Sequence, residues 1–143
     1  MKMERILVPV DFSEYSLAAL KCALELAREF ESEVVLVHVV EPLPRGAASW
    51  SDPASLLEHH GEKASKELKR FEKEATQLYP KCRSELYFGV VHQVVAELVS
   101  KLKADLLVIS MRGQTSLLDL LIGGTADQLL RHAPCPVLRI HTI

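Results

Sequence analysis

The sequence predicts an α/β fold, a five-stranded parallel sheet with helices on both faces, of the Rossmann-like doubly wound type. Short apolar runs rich in β-branched residues alternate with longer segments whose apolar residues recur every three or four positions. The chain has 143 residues, 48% hydrophobic and 25% charged, which is ordinary for one globular domain. We therefore expect a single domain over residues 1–143 with the order β-α-β-α-β-α-β-α-β.

Three short apolar runs are typical of strands buried on both faces of a parallel sheet. They cover residues 6–10, 34–40 and 106–109. Two weaker candidates lie at 85–88 and 137–141, and the second of these alternates apolar with polar residues. Alternation favours an edge strand or a paired surface strand, because successive side chains of a strand point to opposite faces.

Four helical patterns separate the strands. Ser13 precedes the first helix as its N-cap, Pro80 closes the second, and Pro134 stops the fourth. Each pattern has an apolar stripe at helical spacing, which predicts the face that packs on the sheet. The stripes consist of Leu17, Leu20, Leu24 and Ala27; of Leu57, Ala64, Leu68, Phe71, Ala75 and Leu78; of Val95, Leu98, Val99 and Leu102; and of Ala126, Leu129, Leu130 and Ala133.

Composition excludes several classes of protein. Seventeen basic and nineteen acidic side chains leave a net charge of −2, without the basic surplus of a nucleic-acid binder. No apolar run approaches the roughly 18 residues of a membrane helix, and the apolar start at 6–8 is too short for a signal peptide. We therefore expect a cytoplasmic protein with neither nucleic acid nor membrane as its partner.

Cysteine and histidine spacing gives no metal or disulfide pattern. Cys22, Cys82 and Cys135 are odd in number and lack a Cys-x-x-Cys pair. His59 and His60 are adjacent on a helix and point in different directions, so they do not chelate. His38 lies inside an apolar strand and is expected to be a satisfied core residue. We expect no built metal site and an inert, partly buried Cys135.

Ligands of such sheets bind beyond the carboxyl ends of the strands, where the strand order reverses. Asp11 follows the first strand, and its carboxylate either accepts from a sugar hydroxyl or caps the first helix. Arg112, Gly113, the glycines at 123–124 and Thr125 follow the fourth strand and begin the fourth helix. Glycines and helix-start N–H groups favour a phosphate, although they also serve simple turns.

Two further segments leave alternatives open. Residues 41–55 predict a long loop, whose Trp50 closes over a ligand, packs on a partner or rests on its own domain. Residues 117–122 hold five apolar side chains in six, which either fold back onto the domain or contact a second subunit.

Several stretches, in order, resemble the universal stress protein family over nearly the whole chain. They are ILVPVDFS at 6–13, LVHV at 36–39, Gly89, ADLLVI at 104–109 and LRHAPCPVL at 130–138. The resemblance implies a single universal stress protein domain with a five-stranded parallel sheet. It also implies a homodimer formed through the last strand, at Val137, Leu138, Arg139 and Ile140.

Nucleotide-binding members of that family carry a glycine, two residues, a glycine, nine residues, a glycine and then serine or threonine. Here Ser110 stands at the first position, Gly113 at the second, Gly123 at the third and Gly124 at the fourth. A hydroxyl follows one residue later in Thr125. Two of the four positions therefore depart from the pattern, and Ser110 crowds the loop if that position needs a positive φ.

By the same resemblance Asp11 faces the ribose, Val10 and Val39 meet the adenine, and residues 113–125 surround the phosphates. Some members of the family bind ATP or AMP and others bind no nucleotide, so the ligand that the resemblance implies is ATP or AMP, with Mg²⁺ or Mn²⁺ accompanying ATP only. The nucleotide-binding set that this implies is Pro9, Val10, Asp11, Val39, Ser110, Met111, Arg112, Gly113, Gly123, Gly124 and Thr125.

Three functions remain open at this point. The first is an adenine-nucleotide-binding module that senses or regulates in a stress response. The second is a dimeric interaction protein that binds no nucleotide, which the departures at Ser110 and Gly124 favour. The third is a weak ATPase, for which no side chain in the sequence is an obvious base.

Overall fold

The computed structural model describes residues 2–42, 53–110 and 124–141, with the backbone alone for 53–57. The strands and helices alternate in the predicted order. They are β1 (Arg5–Pro9), α1 (Glu14–Phe30), β2 (Glu33–Val40), α2 (Pro53–Leu78), β3 (Cys82–Phe88), α3 (Val91–Lys101), β4 (Leu106–Ser110), α4 (Thr125–His132) and β5 (Val137–Ile140). Trp50 and the apolar segment 117–122 lie outside the described residues, so the predictions made for them are not addressed.

The five strands form one sheet in the order β3-β2-β1-β4-β5, and every neighbouring pair is parallel. Helices α1 and α2 pack on one face around Leu20, Phe71 and Val8, and α3 and α4 pack on the other around Val95 and Leu129. This arrangement confirms the predicted doubly wound α/β fold. Strand β5 lies at the edge, as its alternating pattern predicted.

Among the described residues, most members of the predicted apolar stripes are buried or partly buried, and two are exposed. Leu78 is 52% exposed and Leu130 is 42% exposed. Leu78 is the final residue of α2, where the helix ends facing solvent. Leu130 follows the fully buried Leu129, and adjacent helical residues point about 100° apart, so only one of them faces the sheet.

Strands β1 and β4 are tied together at their amino ends. The Asp105 carboxylate accepts hydrogen bonds from the backbone N–H groups of Glu4 at 2.8 Å and Arg5 at 3.0 Å. Further along, the described residues of these strands pair only at Ile6–Leu106 and Leu7–Leu107, whereas β1 pairs with β2 from Arg5 to Pro9. Among the described residues, the pairing of β1 with β4 therefore stops before the carboxyl ends of the two strands.

None of the helices in the described ranges is both long enough and apolar enough to span a membrane.

Candidate functional site

The strand order reverses between β1 and β4. The chain leaves β1 for β2 and β3 on one side of the sheet, and then crosses to β4 and β5 on the other. Counting on from the Leu7–Leu107 pair, Val10 and Ser110 stand at the same level of the two strands. The topological switch point of the sheet therefore lies between the residues that follow β1 and those that follow β4.

Asp11 stands in the turn from β1 to α1 and supports the helix cap. Its Oδ1 accepts from the Ser13 backbone N–H at 3.0 Å and from the Ser13 hydroxyl. Ser13 itself is the N-cap, since its Oγ accepts from the Ser16 N–H at 3.1 Å. The predicted cap at Ser13 is confirmed. Asp11 does not cap the helix itself but accepts hydrogen bonds from the capping residue, Ser13. A carboxylate accepts several hydrogen bonds, because each of its oxygens carries two lone pairs.

Phe12 follows Asp11 and adopts the left-handed region, with φ of 68°. Its ring lies 4.4 Å from the imidazole of His38 and meets the ring of Phe71 edge-on at 5.3 Å, centroid to centroid. His38 Nδ1 lies 2.6 Å from the carbonyl oxygen of Val10, so Nδ1 carries the hydrogen and donates. The expectation that His38 is satisfied is confirmed, although the residue is only partly buried.

Burial lowers the pKa of His38 below its ordinary value of 6.5. The hydrogen bond to the Val10 carbonyl and the nearby Asp11 carboxylate act in the opposite direction, and burial is the larger effect. The imidazole is therefore neutral at physiological pH.

The two valines expected at the adenine lie on opposite faces of the sheet. Val10 packs in the core beneath α1 and α2 and is 4% exposed, and Val39 packs beneath α3 and is 6% exposed. The Val10 N–H donates to the Val37 carbonyl at 2.8 Å, while its carbonyl accepts from His38. A ligand contact to the Val10 backbone would have to use the second lone pair of that carbonyl. Pro9 is the last residue of β1.

Only part of the predicted phosphate loop falls in the described residues. Ser110 ends β4, half-buried and paired in register with Ile140. Gly124 is the N-cap of α4, with φ of −53°, and Thr125 is the first helical residue. Because this φ is negative, a serine or threonine at 124 would meet no left-handed strain. The remaining predicted residues of this loop, Met111, Arg112, Gly113 and Gly123, lie outside the described residues.

Arg139 stands beside the same helix start. Its Nη1 lies 3.3 Å from Asp127 Oδ1 in the first turn of α4, and its side chain is 27% exposed. The register places it next to Ile109 of β4. The sequence reasoning assigned Arg139 to the dimer strand alone. The sequence carries no signal for the register of β5 against β4 or for the ion pair with Asp127, so it could not place Arg139 near α4. The charge of Arg139 offsets that of Asp127, whose carboxylate otherwise opposes an anion at this helix start.

The thiols of Cys82 and Cys135 have raised pKa values, which keeps them protonated and unreactive. Burial raises the pKa of the Cys82 thiol to about 12, with Glu72 and Glu33 adding to the effect. Burial also raises the pKa of Cys135, which is only partly exposed, in agreement with its predicted inertness. Over residues 2–42, 53–110 and 124–141, no three histidine, cysteine or carboxylate side chains gather as a metal-binding group.

A doubly wound sheet with a carboxylate after β1 and a helix start after β4 defines a class of α/β protein whose known ligands lie at the switch point of the sheet. The chain matches the model of the universal stress protein family over residues 2–141. Universal stress protein MJ0531 of Methanocaldococcus jannaschii is 35% identical over 139 residues, which cover 94% of this chain and 80% of that protein. The chain belongs to the universal stress protein family.

Solved structures share the fold. Protein MJ0577 of Methanocaldococcus jannaschii has a TM-score of 0.85 at 23% identity, covering 100% of this chain and 99% of that one. A universal stress protein in complex with cAMP has a TM-score of 0.77 at 22% identity, covering 98% of each chain. A family protein from Arabidopsis thaliana with AMP bound has a TM-score of 0.73 at 21% identity, covering 98% of this chain and 92% of that one.

Proposed function

We propose that this protein binds an adenine nucleotide at the switch point of its sheet and acts as a sensing or regulatory module in a stress response. The observation that carries the proposal is the position of Asp11 and Gly124 after the two strands that flank this point. Family members of the same fold have been solved with AMP and with cAMP. The chain therefore combines the fold of known nucleotide binders with suitable groups at the expected edge.

Each part of the ligand has a candidate partner. Asp11 accepts from a ribose hydroxyl, because a carboxylate accepts several hydrogen bonds at once. The first turn of α4 offers backbone N–H groups to a phosphate, and Arg139 reduces the opposing charge of Asp127 there. Ser110, Met111, Arg112, Gly113, Gly123 and Thr125 complete the proposed phosphate loop, and Pro9, Val10 and Val39 flank the base. ATP would arrive with Mg²⁺ or Mn²⁺, and AMP without a metal ion.

Ligand-linked stability tests this function. Titration calorimetry and thermal melting with AMP, ATP and cAMP should show binding, because a ligand at 100 times its Kd stabilises the folded state by about 2.7 kcal/mol. Asp11→Asn keeps an acceptor for Ser13 and removes the charge, so it should weaken nucleotide binding while leaving the melting temperature of the free protein close to that of the parent. Absence of heat and of any melting shift at millimolar nucleotide would refute the proposal.

A dimeric interaction protein without nucleotide is the second candidate. The departures at Ser110 and Gly124 favour it, since a side chain at 110 occupies space and Gly124 offers no hydroxyl to a phosphate. The double variant Ser110→Gly, Gly124→Ser should then bind AMP where the parent does not. Adenine nucleotide released on denaturation of the purified parent would exclude this second function.

A further inference from the structure

The turn that carries Asp11 is held in an unfavourable backbone conformation. Phe12, with φ of 68°, has a bulky side chain in the left-handed region, which glycine and asparagine occupy far more readily. Such a conformation persists only when surrounding contacts determine it. The contacts that do so here come from β2 and α2, outside the turn itself.

His38 supplies two of these contacts. Its ring lies 4.4 Å from that of Phe12, centroid to centroid, with the two planes tilted by 32°. Its Nδ1–H donates to the Val10 carbonyl at 2.6 Å, which fixes the peptide that joins Val10 to Asp11. Val10 is also fixed through its N–H, which donates to the Val37 carbonyl. Both neighbours of Asp11 in the chain are therefore fixed by the same histidine.

We propose that His38 is a positioning residue of the nucleotide site, which fixes the Asp11 carboxylate for the ribose hydroxyls through the Val10 carbonyl and the Phe12 ring. This inference rests on the proposed function, because it assigns the ribose to Asp11. His38 needs no contact with the ligand. It lowers the cost of binding by holding the carboxylate in place beforehand, as preorganised sites do.

Two variants separate the hydrogen bond from the packing. His38→Asn places an amide N–H close to the position of Nδ1 and keeps a donor for Val10, whereas His38→Leu fills similar space without a donor. Both remove the aromatic ring, so the difference between them isolates the hydrogen bond. Urea unfolding and circular dichroism establish that each variant is folded before binding is measured.

Two ligands test whether the ribose hydroxyls contribute to binding. AMP carries both ribose hydroxyls, and 2′,3′-dideoxyadenosine monophosphate carries neither. The parent should bind AMP about tenfold more tightly than the dideoxy compound, the usual scale for a hydrogen bond to a charged group. His38→Leu should reduce this preference to less than about threefold, with dideoxy binding nearly unchanged, and His38→Asn should restore most of it. A variant that weakens both ligands equally, or keeps the full preference for AMP, would overturn the proposal.

A second measurement needs no nucleotide. The Ser13 backbone N–H donates to Asp11 Oδ1 at 3.0 Å, so its hydrogen exchange reports on the position of the carboxylate. Exchange in the free protein should be about tenfold faster in His38→Leu than in the parent, and near the parent rate in His38→Asn. If the parent binds neither ligand, the proposed function fails, and this exchange rate alone decides whether His38 positions Asp11. Equal exchange in the parent and both variants would refute the positioning role.

Discussion

The imidazole of His38 shows at the residue scale how a polar group is accommodated in an apolar strand. Val37 and Val39 on either side of it are buried against the opposite face of the sheet, and the ring is directed toward the β1–α1 turn. A neutral imidazole costs less to bury than a charged one, and its Nδ1–H finds a backbone acceptor. Folding therefore favours the neutral form, which makes stability depend on pH.

We predict that acid destabilises the protein partly through His38. Because the folded-state pKa is lowered below 6.5, the unfolded chain takes up a proton first as the pH falls through that value. The free energy of unfolding should therefore decrease below about pH 6.5, with a slope of at most about 1.4 kcal/mol per pH unit from this residue.

Urea unfolding between pH 5 and 7.5 measures this dependence. His38→Phe keeps an aromatic ring beside Phe12 and removes the titration, so its stability should change less over the same range. An NMR titration of the parent should place the His38 pKa below 6.5. A His38 that titrates above 6.5, or equal slopes for the two proteins, would contradict this account.

How much the sequence reveals about a single residue depends on how far along the chain its hydrogen-bond partner lies. The cap at Ser13 was predictable because its acceptor role spans three residues, from Ser13 to Ser16. The partner of His38 lies 28 positions away, so the sequence indicated a satisfied histidine without showing the acceptor. The left-handed Phe12 carries no local signal at all, since phenylalanine is an unusual residue for that conformation.

At the scale of the elements, the turn between β3 and α3 depends on one glycine. Gly89 adopts φ of 146°, and its N–H donates to the Val40 carbonyl at 3.0 Å, at the carboxyl end of β2. A Cβ at this position would lie 2.9 Å from Val94 Cγ2. The end of β3 therefore requires both the conformational freedom and the small size of glycine.

We predict that Gly89→Ala lowers the free energy of unfolding by about 2–4 kcal/mol, because strain and steric overlap combine. Gly61→Ala is the matched control. Its Cβ would approach the ring of Phe88 at 3.0 Å, but that ring is 52% exposed and free to shift, and alanine is the better helix former. Gly61→Ala should stay within about 1 kcal/mol of the parent in urea unfolding. Similar losses in both variants would show that crowding alone, without the positive φ, sets the cost.

Element type and order were predictable, and element limits less so. Buried strands such as β2 appear as continuous β-branched runs, and α1 as a stripe of four apolar residues. Strand β3 runs from Cys82, three residues before the predicted start, because Arg83 and Ser84 are polar residues that pair with β2 through their backbone. Pairing of this kind depends on the neighbouring strand and leaves no apolar pattern in the sequence.

At the scale of the whole molecule, the candidate site is assembled from segments about 100 residues apart. The segments that follow β1 and β4 are brought to the same edge of the sheet only through the parallel pairing of these two strands. Their approach follows from the rules of doubly wound sheets, so the general location was predictable. The contribution of Arg139 was not, since it depends on the exact register of β5 against β4 and on the ion pair with Asp127.

We also propose that two copies associate through β5, and we predict that Leu138→Lys yields a monomer. Strand β5 is an edge of the sheet that the described residues form, and Leu138 on it is 36% exposed. An edge strand offers backbone groups with which a second copy can pair. A lysine at 138 would bring two positive charges together at a symmetric interface, which costs more than the dimer gains there.

Sedimentation velocity at micromolar protein concentration distinguishes the two states. Phe30→Lys is the matched control, because Phe30 is 56% exposed at the end of α1 and a lysine there suits the carboxyl end of a helix. The parent and Phe30→Lys should sediment as dimers and Leu138→Lys as a monomer with unchanged circular dichroism. A dimeric Leu138→Lys would show that the interface does not depend on β5. A monomeric parent would show that the proposed dimer does not form at this concentration. Loss of the dimer in Phe30→Lys alone would instead place the contact at the end of α1, opposite the carboxyl ends of the strands.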